Sequence, residues 1–113
     1  MSIRTWKNEK GEIHRENGPA VECSNGSKSW YMNGKLHREN GPAIEHANGD
    51  KEWYMNGVFH REGNLPAMEI SNDKAWWING QLHRVDGPAI EYANGKVEWW
   101  ENGQRQEDCP LLE

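Results

Sequence analysis

The sequence has few aliphatic side chains and no long apolar run. Only 35% of its 113 residues are hydrophobic and 27% are charged, so little apolar surface is available to offset the entropy that the chain loses on folding. No stretch approaches the roughly 20 apolar residues of a membrane-spanning helix. The early basic residues Arg4, Lys7 and Lys10 precede no apolar run of the kind that marks a secretory signal. We therefore expect a cytoplasmic protein that does not span a membrane.

Basic charge and cysteine are also scarce. Thirteen Lys and Arg residues stand against 18 Asp and Glu residues, which gives a net charge of -5. Nucleic acids and anionic membranes bind surfaces with a positive footprint, so neither is expected as a partner. The two cysteines, Cys23 and Cys109, lack Cys-x-x-Cys spacing. Two reduced thiols are therefore favoured over a disulfide or a redox pair.

Aromatic residues are abundant by contrast. Seven Trp, three Tyr and one Phe supply eleven rings, and each large ring can bury about 150–250 Å². Disordered chains are poor in aromatic residues. The composition therefore predicts a folded domain whose core is thin and aromatic, and the length suits one domain rather than two.

The sequence repeats with a period of 23 residues. The dipeptide His-Arg and a pair of adjacent aromatic residues both recur at this step. The recurring positions are His14, His37, His60 and His83 for the dipeptide, and Trp30, Trp53, Trp76 and Trp99 for the first aromatic residue. Periods of about 20–50 residues are typical of solenoids and arrays, in which each unit covers the apolar surface of its neighbour.

Four units contain the His-Arg dipeptide, and we number them one to four in chain order. Unit two spans 30–52, unit three 53–75 and unit four 76–98, and unit one, which is entered by an irregular segment at Trp6, spans the 24 residues 6–29. A fifth unit begins at Trp99 and stops early, with Gln106 where the next His would fall. We predict a single repeat domain over 1–104, with four full units and partial end units, and a C-terminal cap or tail over 105–113.

Asn-Gly dipeptides predict the local structure. They occur nine times, and each can supply the two left-handed residues of a type I′ turn, which is the strongest short signal for a β-hairpin. Between two such turns, the segment 50–55 is predicted as one strand. The longer segment 35–47 contains Gly41-Pro42, and it must bend there or split, because proline cannot donate to a central ladder. No segment has the 3.6-residue periodicity of a helix.

These signals predict an all-β fold, a single-layer twisted antiparallel sheet of repeated β-hairpins. Alternation places one aliphatic residue of each unit on one face and one acidic residue on the other. The aliphatic residues are Val21, Ile44, Met68 and Ile90, and the acidic residues are Glu22, Glu45, Glu69 and Glu91. Adjacent aromatic residues must point to opposite faces. The alternative is a parallel β-helix, in which equivalent residues would stack about 4.8 Å apart instead of about 10 Å.

The pattern W-x-x-N-G-x-x-H-x-x-x-G…N-G, repeated every 23 residues, resembles the MORN repeat. The resemblance covers roughly residues 6–103. The chain is a variant, since His-Arg stands for the H-G step of MORN units and Gly-Pro-Ala for their G-x-G. Units with H-R-x-x-G-P-A are similar to those of uncharacterised phage and giant-virus proteins. The resemblance implies a scaffold and a MORN-like solenoid, and it raises the expectation of a viral protein. Phospholipid binding, which is linked with some MORN proteins, does not suit the negative charge.

The repetition disfavours catalysis and metal binding. Imidazoles about 10 Å apart cannot share an ion whose contacts are near 2 Å, so each His is expected to bond a turn backbone or a neighbouring Glu. An active site is usually made once, whereas nearly every polar residue here recurs. We therefore expect no enzyme, no cofactor and no metal.

The first functional hypothesis is a non-enzymatic protein-interaction module. Trp, Tyr and Arg are enriched at interface hot spots. Unit three also departs from the repeat, because an extra residue places Leu65 before its proline. In a narrower form, the chain is a phage or viral inhibitor that occludes a host or defence protein in the host cytoplasm. The residues expected to contact the partner are Trp30, Tyr31, Trp53, Tyr54, Arg61, Leu65, Trp76, Trp77, Trp99 and Trp100.

A second hypothesis is a small-ligand binder for a nucleotide or a lipid headgroup. Arginine can hold an anionic group bidentately. The residues expected for it are His37, Arg38, His60, His83 and Arg84. A plainer interpretation of the Arg and Glu columns is a ladder of cross-strand ion pairs. The open edges of the sheet are also a place where a second copy could pair, so a homodimer is expected as readily as a monomer.

Overall fold

The computed structural model describes residues 3–106, which form sixteen short β-strands and no helix. The strands are β1 (Ile3–Thr5), β2 (Val21–Cys23), β3 (Lys28–Ser29), β4 (Tyr31–Met32), β5 (Lys35–Leu36), β6 (Ile44–Glu45), β7 (Lys51–Glu52), β8 (Tyr54–Met55), β9 (Val58–Phe59), β10 (Met68–Ile70), β11 (Asp73–Ala75), β12 (Trp77–Ile78), β13 (Gln81–Leu82), β14 (Ile90–Glu91), β15 (Val97–Glu101) and β16 (Gln104–Gln106). The described segment contains no helix of the length and apolarity needed to cross a membrane.

Ten of these strands form one open antiparallel sheet. Its order is β1-β2-β3-β6-β7-β10-β11-β14-β15-β16, and three small hairpin sheets, β4-β5, β8-β9 and β12-β13, lie outside it. The all-β prediction is confirmed, and the sheet does not close into a barrel. The last strand runs to Gln106, two residues past the predicted domain boundary. Residues 107–113, with Cys109 and the rest of the predicted tail, lie outside the described residues.

Units two, three and four each contribute to both kinds of sheet, because the chain leaves the large sheet at the first aromatic residue. Unit one has only an isolated bridge, between Lys7 and Ile13, in the equivalent place. The segment 50–55, predicted as one strand, is therefore two strands, β7 and β8, separated by Trp53. The N–H of Trp53 donates to the carbonyl of Ala67 at 2.7 Å, and its own carbonyl accepts from the N–H of His60 at 3.1 Å. The predicted split of 35–47 is found, with β5 before Gly41-Pro42 and β6 after it.

The Asn-Gly dipeptides adopt three different backbone conformations, whereas the sequence predicted a type I′ turn at each of them. Four have left-handed φ at both residues, as a type I′ hairpin turn requires, and they begin at Asn33, Asn56, Asn79 and Asn102. Three have left-handed φ at the glycine alone and close three-residue loops with a bulge; their glycines are Gly26, Gly49 and Gly95. The other two, at Asn17 and Asn40, have no left-handed residue and belong to the Gly-Pro bend.

The irregularity of unit three changes one turn type. Ile70 pairs with Asp73 across Ser71 and Asn72, and both central residues have left-handed φ, at 51° and 71°. This turn has one residue fewer than the equivalent turns of units two and four, which converts a three-residue bulged loop into a two-residue type I′ turn. Unit three has an extra residue earlier, at 63–65, and the missing residue restores the 23-residue period at Trp76.

The core is shallow and lies on both sides of the sheet. The alanines that follow each Gly-Pro or Leu-Pro step, Ala20, Ala43, Ala67 and Ala89, are fully buried. The opposite face packs half-buried aliphatic and aromatic side chains, and the ring of Phe59 stacks between those of Tyr54 and Trp77, with centroid distances of 4.3 and 5.0 Å. The molecule measures 59 × 26 × 18 Å, so most side chains keep some contact with solvent.

Candidate functional site

One face of the sheet carries a column of tryptophans, each covered by an arginine of its own unit. The guanidinium carbon lies 3.7–3.9 Å from the ring centroid in all four units, which is the geometry of a cation–π contact. We name this surface the Trp–Arg face. Its stacked pairs are Trp6 with Arg15, Trp30 with Arg38, Trp53 with Arg61, and Trp76 with Arg84.

The stack explains the residues around His-Arg. In unit two, Nη1 of Arg38 donates to the carbonyl of Pro42 at 3.0 Å and to the carboxylate of Glu45 at 2.9 Å, and the other units repeat both contacts. The guanidinium passes so close to Gly41 that a Cβ there would lie 2.9 Å from the guanidinium carbon. Glycine, proline and glutamate thus form the channel that holds arginine on the tryptophan.

The predicted Arg–Glu pairing is found within each unit. In addition, a column of lysines alternates with the glutamates across the strands of the large sheet. The register across the large sheet places Lys28 between Glu22 and Glu45, and Lys51 between Glu45 and Glu69. Opposite charges therefore face each other at successive rungs, which favours this register over one that opposes like charges. The sequence analysis considered the arginine and glutamate columns and did not identify these lysines.

The four repeated histidines join consecutive units. Nδ1 of His37 accepts the backbone N–H of Asn56, in the hairpin turn of the next unit, at 3.0 Å, and the other three make the same contact. Nδ1 is therefore unprotonated and the Nε2 tautomer is set, with Nε2 3.5 Å from Glu39. Within 3–106, no cluster of three or more His, Cys, Asp or Glu side chains could hold a metal ion. The histidines thus bond turn backbone, as the sequence predicted.

The residues predicted to contact a partner do not form one surface. Trp30, Trp53 and Trp76 lie on the Trp–Arg face with Arg61, whereas their aromatic neighbours point to the opposite face. Those neighbours are Tyr31, Tyr54, Trp77 and Trp100, all half-buried. Leu65 and Trp99 are exposed, at 47% and 37%. The residues predicted for a small ligand, His37, Arg38, His60, His83 and Arg84, share the Trp–Arg face, but their arginines already hold carboxylates.

On the opposite face, Glu52 joins two polar side chains. Its mostly buried carboxylate accepts the Tyr54 hydroxyl at 3.0 Å and pairs with Nε2 of His46 at 2.8 Å. Burial, and then the charge of Glu52, raise the pKa of Tyr54 above its usual value. Two units on, hydrogen bonds from Trp100 and Tyr92 lower the pKa of Glu98. In the unit between, Ala75 occupies this position.

That alanine explains a buried polar group without a partner. Nε1 of Trp77 is buried and makes no hydrogen bond among residues 3–106. The equivalent Trp100 donates its Nε1–H to Glu98 at 3.0 Å. Because Ala75 replaces the glutamate, the indole of Trp77 loses this acceptor.

The Tyr54–Glu52 contact predicts a loss of stability at alkaline pH. A raised folded-state pKa means that the stabilisation is complete below the unfolded value of about 10 and is lost as pH rises past it. Urea unfolding should show a free energy that falls between pH 9 and pH 11, and Tyr54→Phe should make this fall smaller. Tyr31→Phe is the control, since its hydroxyl has no carboxylate partner in the described part of the chain; an equal effect of both variants would contradict the assignment.

Two equivalent grooves open on the Trp–Arg face between consecutive units. The first, of about 540 Å³, has Trp30 and Met32 in its lining and lies between the His-Arg loops of units one and two. The second, of about 370 Å³, has Trp53 and Met55 in its lining and lies between the loops of units two and three. Arg38 and Glu39 contribute to both grooves.

The extra residue of unit three covers the place where a third groove would open. The carbonyl of Asn64 accepts Nε1–H of Trp76 at 3.1 Å, and the Asn64 amide bonds both carboxylate oxygens of Asp86 at 3.0 Å. Trp76 is only 7% exposed, whereas Trp30 and Trp53 are half-buried. The insertion therefore covers the tryptophan whose equivalents in units two and three line a groove.

The outer loops of this face differ between units in charge. The residue two after each repeated histidine is Glu16, Glu39 or Glu62 in the first three units, with side-chain exposures of 75%, 74% and 87%. In unit four it is Val85, which is 75% exposed. Sequence reasoning missed this acidic rim and the two methionines. Both could have been found in the sequence, because each methionine lies two residues after a repeated tryptophan and each of these glutamates lies two residues after a repeated histidine.

Comparison with known proteins gives no family assignment: no family model matches the chain, and neither a curated protein nor a solved structure matches it.

Proposed function

We propose that this chain is a non-enzymatic protein-interaction module that binds a partner protein through the Trp–Arg face. The observation that carries the proposal is the row of two open grooves, each with a tryptophan, a methionine and two arginines in its lining. Such side chains are enriched at the centres of protein interfaces. The regular pairing of Arg with Trp, Pro and Glu holds the face in shape before a partner binds, which reduces the entropy lost on binding.

The grooves suit a protein partner better than a small anion. Each arginine lies on a ring and bonds both a proline carbonyl and a carboxylate, so an anionic ligand would have to compete with contacts of 2.9–3.5 Å. The grooves are also open and arranged in a row. A nucleotide or lipid headgroup held by His37, Arg38, His60, His83 and Arg84 remains the second candidate, because the groove volumes are large enough to admit one.

The narrower form of the proposal is a phage or viral inhibitor that occludes a host or defence protein in the host cytoplasm. It rests on the resemblance of the H-R-x-x-G-P-A units to those of phage and giant-virus proteins, with MORN-like scaffolding as the general role. A rigid, thin sheet that displays one recurring face is suited to occlusion, since it needs no catalytic group.

Capture of a partner by paired variants tests the proposal. The tagged chain is incubated with the soluble extract of the cells that carry it, and bound proteins are quantified by mass spectrometry. We expect one stoichiometric partner, lost when Glu39→Arg and Glu62→Arg place bulky opposite charges on the groove rims. The matched control carries Glu9→Arg and Glu101→Arg, at exposed positions outside both grooves, and should keep the partner.

The complex is then rebuilt from the two purified proteins and measured by calorimetry. Partner capture that survives the rim variant would reject this face as the binding surface. The absence of any stoichiometric partner, combined with a thermal shift on adding a nucleotide or an inositol phosphate, would favour the small-ligand candidate instead.

A further inference from the structure

We propose that the two grooves bind an extended basic segment in the polyproline II conformation, with Lys or Arg at every third residue. This inference rests on the proposed function and names the partner chemistry that the Trp–Arg face fits. Each groove would take one basic side chain, with its aliphatic stem on Trp and Met and its charge between two rim carboxylates.

The charge on the rims favours a cationic side chain. Inside the grooves, the guanidinium groups of Arg15, Arg38 and Arg61 are mostly buried and paired with the glutamates of their own units. The highly exposed charged groups at the rims are carboxylates, Glu16 with Glu39 on the first groove and Glu39 with Glu62 on the second. Each rim carboxylate approaches one histidine Nε2, at 3.4–3.5 Å, and keeps most of its surface open to solvent.

The two grooves carry the same kinds of charged side chain, two arginines and two glutamates each. Lys35 lies between the hairpins of units two and three, since it shares a cavity with Met32 and Glu39 and a Cβ at Gly57 would lie 3.7 Å from the Cβ of Lys35. The two grooves should therefore bind a basic side chain alike, and Glu39, which is common to both, should matter most.

The spacing of the grooves selects the conformation of the segment. Equivalent residues of consecutive units lie about 10 Å apart, because two strands at about 4.8 Å separate them. A polyproline II helix has three residues per turn and rises about 9 Å in that turn, so every third side chain points the same way at nearly the groove spacing. In a β-strand the same-side spacing is about 7 Å, which does not match. Aromatic-lined grooves are a recurring way of binding such segments.

In the described part of the chain, the surface after the second groove differs from that of the two grooves. Past the second groove, the carbonyl of Asn64 holds the indole of Trp76, and Val85 stands where a rim carboxylate would be. Two basic side chains of the segment therefore bind in grooves. Further basic residues should increase its affinity only through general electrostatic attraction.

Fluorescence polarisation with synthetic peptides tests the inference on the full chain. The probe is a labelled peptide of Lys-Pro-Pro repeats, and the comparison peptide has the same composition with its lysines placed at every second position. We expect the first to bind at least threefold more tightly. Glu39→Gln, which neutralises the carboxylate common to both grooves, should weaken binding roughly threefold to tenfold. Glu16→Gln and Glu62→Gln should each weaken it less than Glu39→Gln, and Glu9→Gln should change it less than twofold.

Each other outcome overturns the inference in a distinct way. Equal binding of the two peptides would mean attraction by net charge without groove spacing. Binding of a Glu-Pro-Pro peptide in place of the lysine peptide would assign the grooves to anions. No binding of any of these peptides, while the captured partner still depends on Glu39 and Glu62, would leave the interaction face in place and reject the basic segment.

Discussion

Replacement of Trp53 by alanine is expected to lower the free energy of unfolding by about 3 kcal/mol, the lower end of the range for a core tryptophan because the ring is half-buried; this is a large part of the roughly 5–15 kcal/mol of a typical domain. The ring supports the guanidinium of Arg61, which lies 3.7 Å from its centroid and bonds Pro66 and Glu69. Its removal widens the second groove and leaves this guanidinium without its support. Because units contact mainly their neighbours, unit three should also uncouple from the rest, and urea unfolding followed by circular dichroism should become less cooperative.

Trp99→Ala provides the matched control. Trp99 starts the incomplete fifth unit, is 37% exposed, and has no arginine of the described residues on its ring. Its loss should cost far less than that of Trp53. Arg61→Ala removes the stacked cation and keeps the ring, so its loss of unfolding free energy should lie between those of the two tryptophan variants. This variant keeps the prediction testable if Trp53→Ala does not fold. Equal costs at Trp53 and Trp99 would contradict the stacked pair as the stabilising element.

Gly87→Ala is expected to destabilise the protein by about 1–3 kcal/mol. A Cβ at this position would lie 2.8 Å from the guanidinium carbon of Arg84, so the arginine must leave Trp76 or its contacts with Pro88 and Glu91. The residue has no left-handed φ, and the penalty is therefore steric. Gly18→Ala should cost less, since its Cβ would lie 3.3 Å from the nearest guanidinium atoms.

A double-mutant cycle separates this clash from a general effect of alanine. In the Arg84→Ala background the obstructing guanidinium is gone, so the added Gly87→Ala should cost little, and the two changes should be strongly non-additive. Thermal and urea unfolding of the four proteins measure the coupling. Additive costs would show that the glycine is needed for another reason.

The alternation of the sequence predicted the faces, the hairpins and the bend at Gly-Pro, because these follow from local chemistry. The break at Trp53 could not be predicted, since it depends on where the residue bonds in the next strand, at Ala67. The same limit applies to Asn40-Gly41. As a dipeptide it is identical to Asn33-Gly34, which forms a hairpin turn. Gly41 is needed instead because the guanidinium of Arg38 lies where a Cβ would be, and this contact is not visible in the dipeptide itself.

The candidate site was predicted less well than the fold. The tryptophans, arginines and histidines were identified as recurring columns, yet each column was considered alone. The grooves arise between units, from Met32, Glu39 and their equivalents together with Trp30 and Trp53, and such combinations depend on how one unit rests on the next. The closing of the third groove by Asn64 depends on a single inserted residue whose carbonyl direction no pattern encodes.

The indole N–H signals of a ¹⁵N-labelled sample test the central claim most directly, because the seven tryptophans divide between the two faces of the sheet. They are assigned by single Trp→Phe variants and followed as the purified partner, or the Lys-Pro-Pro peptide, is added. We predict that the signals of Trp30 and Trp53 shift, while that of Trp76, held by Asn64, and those of Trp77 and Trp100 on the opposite face stay in place. Shifts confined to Trp77 and Trp100, or spread evenly over all seven, would contradict binding in the grooves of the Trp–Arg face.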